Sequence, residues 1–316
     1  MDHLQRNLST NTLEDYLTGK VDRRELLRRM ALLGGGSVVG MSLLGNLACG
    51  AAATPTIAPT ATPTPAPTDT PTPSLESGVT VDPNDPRIEA GTVEFSTTAG
   101  TLMGYLSRPS QGGPNPAVLV IHENRGLLPH FSDVTRRLAL EGYTALAIDL
   151  LSRDRGTDSF ADSDAARDAL GEISDEQFME DLNASIEYLQ GLSHVRPDRV
   201  GAMGFCFGGG MVWLLSVRNS AIRAAAPFYG SAPPLEEVPN LNAAVLGIYA
   251  GNDDRINAGV PDLEAALMEH QKQYEFITYP GVDHAFFNDT RERYAPEAAE
   301  QAWAETLGWF EQHLMS

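Results

Sequence analysis

A glycine-flanked cysteine constrains the fold of this 316-residue chain more than any other feature. Cys206 lies in Gly204-Phe-Cys-Phe-Gly208, after an apolar run that starts at Val200 and before a helix-like stretch over 211–217. The glycines suit a turn with strained backbone angles and a close approach of strand and helix, which larger side chains would block. The pattern is typical of a nucleophile elbow, with cysteine where serine is more usual. The pentapeptide alone fits a buried structural cysteine equally well.

Two later loops supply the partners that such a nucleophile needs, in the order acid and then base. The strand-like run 244–250 leads into a loop that contains Asp253, and the run 274–279 leads into a loop that contains His284. We expect His284 to take the proton of Cys206 or to hold its thiolate, and Asp253 to bind the far imidazole nitrogen. Alone, each residue has a structural explanation; together, at matching loop ends, the three favour a catalytic role.

A fourth group follows an earlier buried-type strand over 117–121, where Glu123 begins a polar loop. In chains with a nucleophile elbow, this loop supplies one oxyanion-hole amide, and the residue after the nucleophile, here Phe207, supplies the other. An HExxH zinc motif would need histidine where Gly126 stands, so no metal site is predicted. Glu123 is either a surface charge at a strand end or, beside a thiol, a group that raises the thiol's pKa.

The motifs His-Glu-x-x-Gly, Gly-x-Cys-x-Gly-Gly, Gly-x-Asp and Asp-His-Ala-Phe together resemble those of the dienelactone hydrolase (carboxymethylenebutenolidase) family. The resemblance extends from about Val93 to the C-terminus. It implies one α/β-hydrolase domain that cleaves a lactone or small ester without a cofactor. The implied catalytic triad is Cys206, His284 and Asp253.

The same resemblance implies roles for five further residues. Glu123 matches a glutamate that pairs with the resting thiol and releases it when substrate binds. The amides of Asn124 and Phe207 match the oxyanion hole. Arg153 matches an arginine that binds the substrate carboxylate, and Tyr229 matches a tyrosine of the pocket region.

Two positions depart from the best-known members of the family. Those members have serine directly after the histidine and arginine four residues after it, where this chain has Ala285 and Asn288. Because half of the carboxylate clamp is missing, we expect a lactone or ester less acidic than dienelactone. The alternative is a cell-surface binding protein that keeps the hydrolase fold without turnover.

Residues 1–49 are predicted to be an export signal. A basic segment that ends in Arg23-Arg24 and Arg28-Arg29 precedes an apolar, glycine-rich stretch over 31–48, as in twin-arginine signals. A transmembrane anchor is the alternative, although the many glycines disfavour a span. Cys49 ends a stretch that resembles a lipoprotein signal and would then carry the lipid; ordinary cleavage within 51–53 is the other interpretation.

Residues 50–78 repeat Thr-Pro and Ala-Pro, which lack amide donors and prefer extended geometry, so this segment is predicted to be a semi-rigid spacer. Residues 79–316 form the predicted catalytic domain. The formal net charge of −20 argues against nucleic acid and anionic membrane surfaces as partners. We expect a small-molecule substrate, a monomer, and membrane contact only through the signal or a lipid.

After residue 79 the sequence alternates strand-like and helix-like segments, which predicts a mostly parallel sheet covered by helices on both faces. The segments 93–96 and 102–107 are predicted to open the domain as a hairpin. A polar excursion is expected over 152–174, between a strand over 143–148 and a helix over 175–189. A nucleotide site is disfavoured, because Gly201-Ala-Met-Gly204 lacks the third glycine of the dinucleotide-binding motif.

Overall fold

The computed structural model describes residues 80–98 and 100–315. The predicted export signal with Cys49 and the predicted spacer over 50–78 lie outside the described residues. No helix among those described is long and apolar enough to cross a membrane. The described strands are β1 (Ile88–Thr97), β2 (Gly100–Pro109), β3 (Asn115–Ile121), β4 (Thr144–Asp149), β5 (Val195–Phe205), β6 (Ile222–Phe228), β7 (Ala244–Ala250) and β8 (Tyr274–Tyr279).

These strands form one sheet in the order β1-β2-β4-β3-β5-β6-β7-β8. The hairpin β1–β2 is antiparallel and joins β4 in antiparallel register, whereas every pair from β4 to β8 is parallel. Strands that are buried on both faces read as continuous apolar runs, which is why the inner strands were recognisable in the sequence. The predicted α/β-hydrolase fold, with its mostly parallel sheet and opening hairpin, is confirmed.

Helices cover both faces of the sheet. They are α1 (Pro129–Leu140), α2 (Ser163–Gly171), α3 (Asp175–Gly191), α4 (Phe207–Arg218), α5 (Asp254–Asn257), α6 (Val260–Glu269) and α7 (Pro296–Phe310). On one face, Leu119 of β3 packs in a cluster with Leu182 of α3 and Trp213 of α4. On the other face, Val120 packs in a cluster with Phe131 of α1. Adjacent residues of β3 pack into the cores on opposite faces of the sheet, because side chains alternate along a strand.

The structure differs from the sequence prediction in the segment 152–174. The expected polar excursion contains α2, which buries Ala166 and Leu170 against the core. Asp162 caps this helix by accepting hydrogen bonds from the amides of Asp164 and Ala165. Only two apolar residues anchor this short helix, so its periodicity was too weak to separate it from a loop.

Helix α4 also begins four residues earlier than predicted, at Phe207 rather than at residue 211. Glycine has low helix propensity, so the run Gly208-Gly-Gly210 concealed the first turn in the sequence. The early start matters for the site, because it makes Cys206 the N-cap residue of the helix.

Candidate active site

Cys206 occupies a sharp turn between β5 and α4. Its backbone has φ 58° and ψ −115°, a positive φ that is strained for any residue other than glycine. A Cβ at Gly204 would lie 2.4 Å from the oxygen of Gly208, and a Cβ at Gly208 would lie 2.3 Å from the oxygen of Ile121. The glycines on both sides of Cys206 are therefore required by close backbone approach, as the elbow interpretation expects.

His284 and Asp253 lie on the loops after β8 and β7 and contact each other beside Cys206. The distance from Nδ1 of His284 to Oδ2 of Asp253 is 2.5 Å, and Asp253 is only 6% exposed. The Asp253 carboxylate also caps α5 by accepting from the Ile256 amide. Held in this way, the carboxylate fixes the imidazole with Nδ1 as the donor and leaves Nε2 available as a base.

Burial is the main reason why the pKa of the Cys206 thiol rises to about 11, with the negative charge of Glu123 as the second cause. A hydrogen bond from the Phe207 amide and the positive charge of Arg255 act in the opposite direction. The thiol is therefore protonated near neutral pH. A nucleophilic role requires a base to remove that proton.

Glu123 lines the same cavity as Cys206 and is only 4% exposed. Its Oε2 accepts a hydrogen bond of 3.1 Å from Nδ2 of Asn288 and lies 3.6 Å from a guanidinium nitrogen of Arg291. Its Oε1 has no hydrogen-bond partner among the described residues. Asn288, which replaces an expected arginine, thus holds the carboxylate that faces the thiol.

His122 precedes Glu123 and is completely buried. Its Nδ1 lies 2.6 Å from the carbonyl oxygen of Glu123, and its Nε2 accepts a hydrogen bond of 3.1 Å from the Leu150 amide. Nδ1 must therefore carry the proton and donate it to the carbonyl. Burial also lowers the pKa of His122, which keeps the ring neutral. His122 fixes the backbone where β3 passes into the loop of Glu123, a role that the sequence analysis did not assign.

Both predicted oxyanion residues lie near Cys206. Asn124 lines the cavity that contains Cys206, and Phe207 is the first residue of α4, whose amide bonds the thiol. Backbone amides at a helix N-terminus favour negative charge. The arrangement suits an oxyanion that forms next to Cys206.

Tyr229 lies directly after β6, in a completely buried position with φ 38°. Its ring centroid is 4.9 Å from that of His284, so the tyrosine packs behind the imidazole. Burial, followed by the charges of Glu123 and Cys206, raises the pKa of Tyr229 well above its usual value. The hydroxyl therefore remains a hydrogen-bond donor close to the site.

Among the predicted site residues that the structure describes, Arg153 is the one that it does not bring to Cys206. Its guanidinium binds Asp181 at 2.7 Å and Glu180 at 2.9 Å, and it lines a separate cavity beside α2 and α3. The structure thus does not support the predicted role of Arg153 in binding the substrate carboxylate, because its guanidinium group is already paired with two carboxylates of the protein.

The cavity at Cys206 instead contains four arginines that the sequence analysis did not consider. It measures about 600 Å³. Its lining residues are Glu123, Asn124, Arg125, Cys206, Arg255, His284, Ala285, Thr290, Arg291, Glu292 and Arg293. Arg255 follows Asp253 by two residues, and Arg291 and Arg293 follow His284 by seven and nine. These spacings from the predicted catalytic residues were the signal in the sequence that could have identified them.

Comparison with known proteins shows the family to which this domain belongs. A family model described as "Dienelactone hydrolase family" matches residues 102–314. This chain belongs to the dienelactone hydrolase family. Like other members of the dienelactone hydrolase family, it is a carboxylic ester hydrolase.

Similar proteins match this domain over most of their own length. The "Putative carboxymethylenebutenolidase" of Escherichia coli K12 is 34% identical over 255 residues, covering 76% of this chain and 92% of that protein. The protein of the same description from Methylorubrum extorquens is 33% identical over 236 residues, covering 71% and 81%. A crystal structure titled "Putative Dienelactone Hydrolase", from Klebsiella pneumoniae, has a TM-score of 0.67 at 31% identity and covers 72% of this chain and 99% of that one.

Proposed function

We propose that this dienelactone hydrolase family member cleaves a lactone or small carboxylic ester through Cys206, His284 and Asp253, by way of an acyl-enzyme. The observation that carries the proposal is the 2.5 Å contact between Nδ1 of His284 and Oδ2 of Asp253, beside a cysteine at the elbow. Nucleophile, base and orienting acid are the three parts of this type of catalysis.

The first half of the reaction forms a thioester. Nε2 of His284 takes the proton from the Cys206 sulfur, and the thiolate attacks the carbonyl carbon of the substrate. The electron pair of the carbonyl moves to its oxygen, which is stabilised by the amides of Asn124 and Phe207. As the carbonyl re-forms, the bond to the leaving oxygen breaks, and that oxygen takes the proton from His284.

The second half consumes water. A water molecule gives a proton to Nε2 of His284 and attacks the thioester carbonyl. The carbon–sulfur bond breaks, and the proton returns to the sulfur. The sum of the two halves is ester plus water to acid plus alcohol, or lactone plus water to hydroxy acid, with no change in oxidation state.

A panel of p-nitrophenyl esters and small lactones, assayed with wild-type protein and Cys206→Ala, tests this proposal. Loss of one triad member typically costs several orders of magnitude in rate. We expect Cys206→Ala to lose activity and to keep its melting temperature, because the change removes one sulfur atom at a turn. An alanine variant that keeps most of its activity would contradict the mechanism. Absence of any turnover by wild type would favour the binding-protein alternative.

We also propose that the enzyme is exported and tethered by its N-terminus. Support comes from the paired arginines before the apolar segment 31–48, from Cys49, and from the Thr-Pro spacer over 50–78. In such an arrangement the spacer would hold the hydrolase domain away from the membrane.

A further inference from the structure

The two amides that would stabilise the oxyanion are held in place by different parts of the fold. The Phe207 amide belongs to the first turn of α4, so the helix fixes its direction. The Asn124 amide lies in the loop after β3, where neither a helix nor a strand fixes it. It donates no hydrogen bond to another described residue, and Asn124 lines the cavity of Cys206. Another group must therefore set the direction in which this N–H points.

The direction of the Asn124 amide is coupled to the carbonyl group of Glu123, because the two belong to one peptide unit. The bond between these residues is trans. In a planar trans peptide, the C=O and N–H bonds point in opposite directions. A group that holds the oxygen of Glu123 on one side of the loop thus directs the N–H of Asn124 to the other side.

The imidazole of His122 holds that oxygen. Its Nδ1 lies 2.6 Å from the carbonyl oxygen of Glu123, whereas the amide of Gly126 is a weaker donor to the same oxygen at 3.4 Å. Because Nε2 of His122 accepts from the Leu150 amide, Nδ1 carries the proton. A hydrogen bond to the carbonyl also polarises the peptide unit, which makes its N–H a stronger donor.

The sheet in turn fixes the imidazole. His122 directly follows β3 and Leu150 directly follows β4, and these two strands are parallel neighbours. The side chain of His122 is 0% exposed, and its ring centroid lies 6.3 Å from that of Phe131 in α1. Groups supported by strands are held more precisely than groups in loops. His122 thus transfers the rigidity of two strand ends to an amide in the loop.

We propose that His122 is a positioning residue, which directs the Asn124 amide at the oxyanion that forms on the substrate carbonyl. This inference rests on the proposed function. The alternative is that His122 only joins two strand ends, in which case its loss would lower stability without affecting the oxyanion.

The two roles differ in their effect on the kinetics. The amide interacts most strongly when the oxygen is fully charged, so misdirection should lower kcat more than it raises KM. Both halves of the proposed reaction form an oxyanion, and the loss of kcat is therefore expected whichever half is slower.

Two substitutions of His122 remove its two hydrogen bonds one at a time. His122→Asn can place an amide nitrogen near the position of Nδ1, but it is too short to reach the Leu150 amide. His122→Gln can reach the Leu150 amide and lacks a donor at the position of Nδ1. Both variants should melt below wild type. With p-nitrophenyl acetate we expect His122→Gln to lose about tenfold to hundredfold in kcat with little change in KM, and His122→Asn to recover most of that loss.

Ser107→Ala is the matched control for the loss of a buried hydrogen bond. The Ser107 hydroxyl bonds the Thr135 hydroxyl at 2.8 Å, and Ser107 pairs with Ala145, at the opposite end of β4 from Leu150. This control should also melt below wild type while it keeps the wild-type kcat. Equal losses of kcat in His122→Gln and His122→Asn would contradict the positioning role, as would a wild-type kcat in His122→Gln.

A pair of reagents for Cys206 examines the oxyanion without turnover. With benzyl trifluoromethyl ketone, the sulfur bonds to the carbonyl carbon, the thiol proton passes to Nε2 of His284, and the carbonyl electron pair moves to oxygen; no group leaves. Iodoacetamide alkylates the same sulfur by displacing iodide, and no oxyanion forms. We expect His122→Gln to bind the ketone about tenfold or more weakly and to react with iodoacetamide at the wild-type rate. Equal losses with both reagents would show damage to the thiol and its base, and would overturn the inference.

These measurements separate the inference from the proposed function. If wild type hydrolyses no ester while ketone affinity falls in His122→Gln and recovers in His122→Asn, the positioning role stands and the proposed hydrolysis fails. If hydrolysis depends on Cys206 while the two His122 variants behave alike, the hydrolysis stands and the positioning role fails. NMR of wild type with isotope-labelled histidine needs no variant: we expect the His122 proton on Nδ1, and a proton on Nε2 instead would refute the inference.

Discussion

Replacing Glu123 by glutamine should let the Cys206 thiol ionise at lower pH. Burial and the charge of Glu123 raise the pKa of the thiol from 9.0 to about 11, and burial is the larger cause. Glutamine keeps the shape of the side chain and can still accept the hydrogen bond from Asn288. It removes the charge that opposes the thiolate and leaves Arg291 without its counter-charge, and both effects favour the thiolate.

The expected size of the pKa change follows from the relative weight of burial and of the Glu123 charge in raising the thiol pKa. Since Glu123 is second to burial, its removal should lower the thiol pKa on the order of one unit. Well below the pKa, the thiolate fraction rises about tenfold for each unit by which the pKa falls. Labelling of Cys206 with iodoacetamide near pH 8 should therefore be faster by about that factor in Glu123→Gln.

The assay is the labelling rate of Cys206 as a function of pH, followed by mass spectrometry. Glu180→Gln is the matched control, because it removes an equivalent carboxylate that pairs with Arg153 in a separate cavity. We expect the control to label as wild type does, and Glu123→Gln to lose turnover while it labels faster. Identical labelling profiles for Glu123→Gln and wild type would show that the carboxylate has no influence on the thiol.

Two further predictions concern the turn and the N-terminus. Gly208→Ala should lose about 1–3 kcal/mol of stability and most activity, because the new Cβ would meet backbone oxygen at 2.3 Å. Gly308→Ala is the control, since it has open space within a helix and should stabilise by about 0.5–1 kcal/mol; thermal unfolding compares the two. Intact-mass analysis of protein from its native envelope should find the mature chain beginning at Cys49 with lipid, or a few residues later without it. Recovery of chain beginning at Met1 from a soluble cytoplasmic fraction would contradict export.

Local sequence determined the architecture and the order in which the nucleophile, the acid and the base follow one another along the chain. The apolar runs that became parallel strands were visible because both of their faces are buried, and the predicted strand over 274–279 has the observed bounds of β8. Glycines around Cys206 indicated the elbow because close backbone approach excludes larger residues there. The loops with Asp253 and His284 were predictable because loops after parallel strands gather at one edge of the sheet.

The tertiary structure alone decided which charged side chains surround Cys206. Arg153 forms an ion pair with Asp181, 28 residues later in the chain, and so does not reach the Cys206 cavity. Asn288 donates a hydrogen bond to Glu123, which lies 165 residues earlier. Long arginine side chains reach several alternative partners, and only the packed arrangement of loops selects among them. The sequence thus determined the nucleophile, its expected partners and the sheet that carries them. Whether an arginine meets a protein carboxylate or an open cavity is a property of the folded molecule, because ion pairing depends on distances between segments remote in sequence.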